Sequence, residues 1–96
     1  MRLEQLEYFV AAAEAGSISG AAQRLKVSQP AVSAALRSLE EELGGRLFSR
    51  GNQGISLTLL GRLTCDDARK MLKLARGMLA RGRNAGARGA AQVCAQ

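Results

Sequence analysis

Gln29, Ser33 and Arg37 recur at intervals of four residues, so on a helix they would form one polar stripe. A glutamine amide can donate and accept at once and so form two hydrogen bonds with the edge of an adenine. A serine hydroxyl or an arginine guanidinium can bind a phosphate oxygen. From the spacing alone, a stripe that contacts nucleic acid and an ordinary solvated helix face are equally good interpretations.

The residue types that catalysis or metal binding would need are scarce. The chain has no histidine, which excludes histidine acid–base chemistry and histidine metal ligands. Cys65 and Cys94 are far apart and form no Cys-x-x-Cys pair, so we expect two reduced thiols in a cytoplasmic protein. No nucleophile has a base partner. We therefore expect no enzyme, no catalytic residue, no cofactor and no metal site.

Charge is distributed unevenly along the chain, whose net charge is +6. Residues 1–45 carry four basic and six acidic side chains, net −2, whereas residues 46–96 carry ten basic and two acidic ones, net +8. This balance favours an anionic partner, either nucleic acid or a membrane surface. The membrane is the poorer alternative because the basic residues beyond residue 80 lack large apolar neighbours. The sequence also has no signal peptide and no stretch of membrane-spanning length.

Length and composition predict one small domain. The chain has 96 residues, of which 47% are hydrophobic and only 3% aromatic, so the core must consist mainly of aliphatic side chains. A domain of this size is marginally stable alone, which favours oligomerisation.

Apolar spacing and capping residues predict two helices at the N-terminus. The first covers residues 2–15 and ends before Gly16, which suits a left-handed cap. Ser17 can cap the second, over residues 19–25, whose small side chains allow another helix to approach closely.

A third helix is predicted to begin after Ser28, with Pro30 in its first turn, and to run to residue 43. Its C-terminal end is acidic and would repel phosphate, so we expect that end to lie away from an anionic partner. The expected buried stripe consists of Val32, Leu36, Leu39 and Leu43.

A β-hairpin and a long helix are predicted to follow. Gly44 and Gly45 end the third helix, and the hairpin strands are expected at residues 46–49 and 55–57. Thr58 caps a helix over residues 59–80, and residues 81–96 are expected to form a disordered basic tail. The apolar surface of the long helix is wide enough to need a partner, most simply the same helix of a second copy. That surface comprises Leu59, Leu60, Leu63, Ala68, Met71, Leu72, Leu74, Ala75, Met78 and Leu79.

Several motifs, in order and at matching separations, resemble the N-terminal domain of bacterial LysR-type transcriptional regulators. The similarity covers about residues 1–80. The motifs are Leu6-Glu7-Tyr8-Phe9-Val10-Ala11, Gly16-Ser17, Ala21-Ala22-Gln23-Arg24-Leu25, Val27-Ser28-Gln29-Pro30-Ala31-Val32-Ser33, Leu39-Glu40-Glu41-Glu42-Leu43-Gly44, Leu47-Phe48-Ser49-Arg50 and Leu57-Thr58-Leu59-Leu60-Gly61.

The resemblance implies a mainly α winged helix-turn-helix: three helices and a hairpin wing over residues 1–58, then a linker and dimerisation helix over 59–80. Family members bind double-stranded promoter DNA as homodimers or tetramers. Their third helix enters the major groove, the wing touches the adjacent backbone or minor groove, and the long helix pairs antiparallel with its mate. We expect no small-molecule effector to bind this chain, since the family's effector-binding domain has no counterpart in it. A fragment and a truncated gene product remain the two explanations.

On this basis the expected DNA contacts divide into base-reading and phosphate-binding residues. Gln29 is the first choice for a base contact. Ser33 is expected to bond a phosphate or a base, and Pro30 and Ala34 can offer apolar contact to a thymine methyl. Arg24, Arg37 and Arg50 are candidate phosphate contacts, and Ser17 and Ser28, which are caps first, leave free N–H groups that can bind phosphate.

Each assignment has a structural alternative. Arg24 fits a solvated basic face as well, and Pro30 fits a helix start. Ala34 departs from the family, which often has a long polar side chain there, and Leu60 replaces a usual small residue, which predicts altered packing at the start of the linker helix. A helical interaction module, which dimerises with intact relatives without binding specific DNA, is the alternative function.

Overall fold

The computed structural model describes residues 1–51 and 54–87 as four helices and one two-stranded antiparallel sheet. Mainly α architecture with one hairpin confirms the predicted fold class. No helix in these two ranges is both long and apolar enough to cross a membrane. The elements are α1 (Leu3–Ala15), α2 (Ile18–Leu25), α3 (Gln29–Leu43), β1 (Phe48–Gly51), β2 (Gly54–Leu57) and α4 (Leu59–Ala87).

Capping residues set the end of α1 and the starts of α2 and α3, as predicted. Gly16 follows α1 in the left-handed conformation, with φ 72°. The Ser17 hydroxyl accepts the N–H of Gly20 at 2.9 Å, and the Ser28 hydroxyl accepts the N–H of Ala31 at 3.2 Å. These caps fix the start of α3, and with it the position of Gln29.

The core lies where α1, α2, α3 and the first half of α4 meet. Phe9 is fully buried and packs edge-to-face on Phe48, with ring centroids 5.4 Å apart. The predicted stripe of α3 is buried except for Leu43, which is 37% exposed, so that part of the prediction is wrong. Leu43 is the last residue of α3, and the helical period alone does not show where the core ends. The main buried side chains are Leu6, Phe9, Ala12, Ala21, Val32, Leu36, Leu39, Leu47, Phe48, Cys65, Ala68 and Leu72.

The wing begins two residues later than predicted. Its register pairs Phe48 with Leu57 and Arg50 with Ile55, and the tip residues 52–53 lie outside the described ranges. A strand from Arg46 is wrong because the N–H of Leu47 donates to the carboxylate of Glu40, and because the residue opposite Leu47, Thr58, lies beyond the end of β2. The N–H of Ile55 donates to the carbonyl of Gly16 at 3.4 Å, so β2 lies against the turn between α1 and α2.

Helix α4 begins as predicted but is longer. The Thr58 hydroxyl accepts the N–H of Gly61 at 3.0 Å, which confirms the cap. The expected end at Ala80 is wrong, because the helix continues to Ala87 and residues 81–87 are helical rather than disordered. No proline interrupts this stretch, and an isolated glycine costs only about 1 kcal/mol relative to alanine. Residues 88–96 of the predicted tail lie outside the described residues, and the domain boundaries stay a prediction.

Gly61 of α4 lies against the backbone of the segment before the wing. A Cβ there would overlap the carbonyl oxygen of Leu47, a backbone atom that cannot rotate away. We expect Gly61→Ala to lower the free energy of unfolding by about 1–3 kcal/mol, as overpacked sites do. Gly82→Ala is the matched control, since a Cβ at Gly82 meets nothing within 4 Å and should slightly stabilise the helix. Urea unfolding followed by circular dichroism measures both, and equal stability of the two variants would contradict this packing.

Candidate nucleic-acid interface

The first turns of α3 present several side chains to solvent. Gln29 is its first residue and is exposed, as are Pro30 and Ala34, while Ser33 is half-buried. The buried side chains of α3 lie on another face of the helix. The N-terminal half of α3 therefore offers an amide, a hydroxyl and two small apolar groups to a partner.

Helix α3 and the wing flank a surface depression whose two ends are separate hollows with part of their lining in common. One end is lined by Ser17, Gln29, Ser33 and Arg50, together with wing backbone at Gly51 and Gly54. At the other end the polar lining consists of Ser33, Arg37, Glu40, Arg46 and Arg50. Ser33 and Arg50 line both ends. The fold thus brings together Ser17, Gln29, Ser33, Arg37 and Arg50, five of the residues singled out from the sequence.

The hollow carries more positive than negative charge. Arg37, Arg46 and Arg50 are exposed, against the single carboxylate of Glu40. In the part of the chain that the structure describes, Arg37 and Arg50 enter no ion pair, whereas Arg46 Nε lies 3.9 Å from Glu40 Oε2. A concave surface lined by unpaired guanidinium groups attracts anions and suits phosphate oxygens.

Arg46 and Glu40 were not predicted as site residues. Arg46 follows two glycines and was assigned to a strand. Its positive charge was the one feature of the sequence that could have indicated a place in the site. Glu40 belongs to an acidic run of three residues, which is typical of a solvated helix end. Its neighbours Glu41 and Glu42 are indeed exposed, but Glu40 is half-buried and accepts the N–H of Leu47 at 2.8 Å.

Arg24 is placed apart from the other candidates. Its guanidinium donates to Glu14 at 2.9 Å, and Glu14 is also 3.4 Å from Arg69 of α4. Arg24 lines a different hollow, between α1, α2 and α4, together with Leu72 and others. The contact of Arg24 with phosphate stays a prediction. Arg24 lines neither end of the hollow beside the wing. Ser28, by contrast, is exposed directly beside Gln29.

The fold alters the acidity of the buried Cys65. Burial in the core raises the pKa of its thiol, with Asp66 and Glu14 contributing in the same direction and Arg69 opposing them. The thiol is therefore protonated at neutral pH and is a poor nucleophile. Within residues 1–51 and 54–87, no group of His, Cys, Asp and Glu side chains is arranged to hold a metal ion.

Most of the sequence matches a family model. A family model for bacterial regulatory helix-turn-helix proteins of the lysR family covers residues 3–62, which is more than half of the chain. The chain belongs to the lysR family. The resemblance carried by the motifs is thereby confirmed.

Curated relatives of this LysR-type chain are transcriptional regulators. It is 47% identical over 85 residues to the HTH-type transcriptional regulator TfdS of Cupriavidus pinatubonensis, covering 88% of this chain and 29% of TfdS. It is 47% identical over 75 residues to the HTH-type transcriptional regulator TcbR of a Pseudomonas species, covering 78% of this chain and 26% of TcbR. The chain thus spans less than a third of the length of these relatives.

Solved LysR-type structures share the fold. The CbnR DNA-binding domain in its DNA complex is 44% identical, with a TM-score of 0.83 over 90% of this chain and 99% of that one. The BenM DNA-binding domain bound to the catB site 1 DNA is 35% identical, with a TM-score of 0.86 over 90% and 96%. Full-length CbnR is 45% identical, with a TM-score of 0.85 over 88% of this chain and 29% of CbnR. The predicted winged helix-turn-helix is confirmed.

Proposed function

We propose that this chain is the DNA-binding part of a LysR-type transcriptional regulator, which reads a dyad-symmetric promoter site as a homodimer. The observation that carries the proposal is the hollow in which Gln29, Ser33 and Arg37 of α3 lie beside Arg50 of the wing. One surface then offers base-reading and phosphate-binding groups together. The relatives' names and the DNA complexes of CbnR and BenM support the same function.

In this proposal the two kinds of contact have separate tasks. Gln29 pairs with an adenine edge in the major groove, and Ser33, Pro30 and Ala34 complete the base-facing surface. Arg37 and Arg50 bind phosphates on either side and so set the register of α3 in the groove. Free N–H groups at the helix starts capped by Ser17 and Ser28 supply further phosphate donors. Arg24 is a more distant phosphate candidate.

Dimerisation is proposed to use the exposed α4 stripe, defined as Leu63, Met71, Leu74 and Met78. These four side chains lie on one side of the helix, and each is between 44% and 63% exposed. A row of large apolar side chains facing solvent favours burial against another copy. A twofold dimer of this kind would carry two copies of α3 related by the same symmetry as a dyad-symmetric DNA site. A full-length form would extend this dimer to a tetramer.

The remaining parts of the proposal follow from the family. A regulator of bacterial promoters works in the cytoplasm, where the DNA lies, and needs neither a catalytic residue nor a cofactor. The effector of such a regulator would bind the part of the longer relatives that this chain does not span.

Selection from a pool of random double-stranded DNA tests the function and finds the bound sequence in the same experiment. We expect a dyad-symmetric sequence, bound by two copies. Because Arg37 and Arg50 of both copies displace counterions, log affinity should fall with log salt with a slope of roughly −3.5 or steeper. A monomer that enriches no sequence even at low ionic strength would overturn the proposal, and a tight dimer without any preferred sequence would favour the interaction module instead.

A further inference from the structure

The backbone of Arg46 and Leu47, which joins α3 to the wing, is held from two sides. From α3, a carboxylate oxygen of Glu40 accepts the N–H of Leu47 at 2.8 Å. From the start of α4, the Thr58 hydroxyl donates to the carbonyl of Arg46 at 2.6 Å. The N–H of Thr58 donates to the carbonyl of Leu47 at 3.0 Å. This junction therefore fixes the wing relative to both the proposed recognition helix and the proposed dimerisation helix.

Glu40 is an unexpected residue at this place. Its carboxylate lines the hollow together with Arg37 and Arg50, so its charge opposes the binding of phosphate there. Its side chain is nevertheless only 22% exposed and is committed to a backbone N–H. Because the charge of Glu40 weakens the attraction of the site for phosphate, we infer that its role is to hold the backbone at Leu47 in place.

Contacts from two sides orient the wing's arginine. On one side, β1 is paired with β2, and Thr58 bonds the backbone of Arg46 and Leu47. On the other side, the hydrogen bond from the N–H of Leu47 to Glu40 is directional and lies three residues before Arg50. This bond therefore sets the orientation of β1 relative to α3.

We propose that Glu40 is a positioning residue for DNA binding. By holding the N–H of Leu47 it orients β1 so that Arg50 and the exposed face of α3 meet one DNA surface. This inference rests on the proposed function, and it assigns to Glu40 no contact with DNA.

Two substitutions distinguish the hydrogen bond of Glu40 from its negative charge. Glu40→Gln keeps an acceptor of the same length and removes the charge, so we expect binding as tight as in the unaltered chain or tighter. Glu40→Asp keeps the charge but is shorter by one methylene and does not reach Leu47 at hydrogen-bond distance. Binding must then order the wing, and we expect about fivefold weaker binding, up to the free energy of the lost hydrogen bond. If charge alone mattered, Glu40→Asp would bind normally. The exposed neighbour supplies the controls Glu41→Gln and Glu41→Asp, which should show no such contrast.

A cycle with Arg50→Ala distinguishes positioning from general stability. Affinity is measured by fluorescence anisotropy on the selected dyad duplex, at a temperature where circular dichroism shows every variant folded. If Glu40 acts through Arg50, Glu40→Asp should cost little further affinity once Arg50 is alanine. An equal loss in both backgrounds, normal binding by Glu40→Asp, or weakened binding by Glu40→Gln would each overturn the inference. Failure of the unaltered chain to prefer the dyad duplex would instead overturn the proposed function.

Discussion

Replacing Gln29 by alanine is expected to lower affinity for the selected dyad duplex by at least about tenfold and to leave affinity for unrelated duplex DNA unchanged. A bidentate pair between an amide and a base edge supplies ~1–3 kcal/mol of discrimination, and each half-site would lose one. Gln29 is exposed and makes no side-chain hydrogen bond within the described residues, so its removal should not disturb α3. Titration of both duplexes in the same buffer measures the effect.

Gln23 provides the matched control for this substitution. It is an exposed glutamine on α2, and it does not line the hollow between α3 and the wing. Gln23→Ala should bind both duplexes like the unaltered chain. If Gln29→Ala weakened binding to the two duplexes equally, Gln29 would contribute to general affinity and not to base recognition.

Placing lysines on the α4 stripe is expected to abolish dimerisation and, with it, tight binding to the dyad. Leu74 and Met78 are 63% and 62% exposed and lie one turn apart in the C-terminal part of the α4 stripe. The dimer would have to bury four ammonium groups among apolar side chains, which is prohibitive. Because binding of two linked domains exceeds that of one by two orders of magnitude or more, we expect affinity for the dyad to fall at least about 100-fold.

The choice of lysine makes this result unambiguous. Added positive charge strengthens attraction to DNA, so weaker binding by the Leu74→Lys, Met78→Lys variant can only reflect lost assembly. Ala80→Lys is the control, since Ala80 is exposed on a different side of α4. Sedimentation equilibrium should show a monomer for the double variant and a dimer for the control. A double variant that stays dimeric would exclude the stripe as the interface.

The parts of the fold that depend on local chemistry were predictable from the sequence. Ser17, Ser28 and Thr58 cap helices as expected, because a cap needs only its own side chain and the next three residues. The start of β1 was not predictable, because Glu40, seven residues earlier in the chain, takes the N–H that a strand would have used. The end of α4 was misplaced because isolated glycines weaken a helix without ending it.

The candidate site divides in the same way. The shared face of Gln29, Ser33 and Arg37 follows from helical spacing alone. That Arg50 joins this face depends on where the wing docks, which local patterns do not encode and the family resemblance supplied. The ion pair that ties Arg24 to Glu14 joins two helices, and no local pattern predicts it.

The central claim is that the first turn of α3 reads bases in each of two symmetric half-sites. Its most direct test is a scan of every single base-pair change across the selected site, carried out with the unaltered chain and with Gln29→Ala. We predict that changing one particular base pair, at the same position in each half-site, weakens binding by the unaltered chain but has no effect on binding by the variant. Changes at the other positions should weaken binding by both proteins alike. Penalty profiles of the same shape for both proteins would show that Gln29 reads no base.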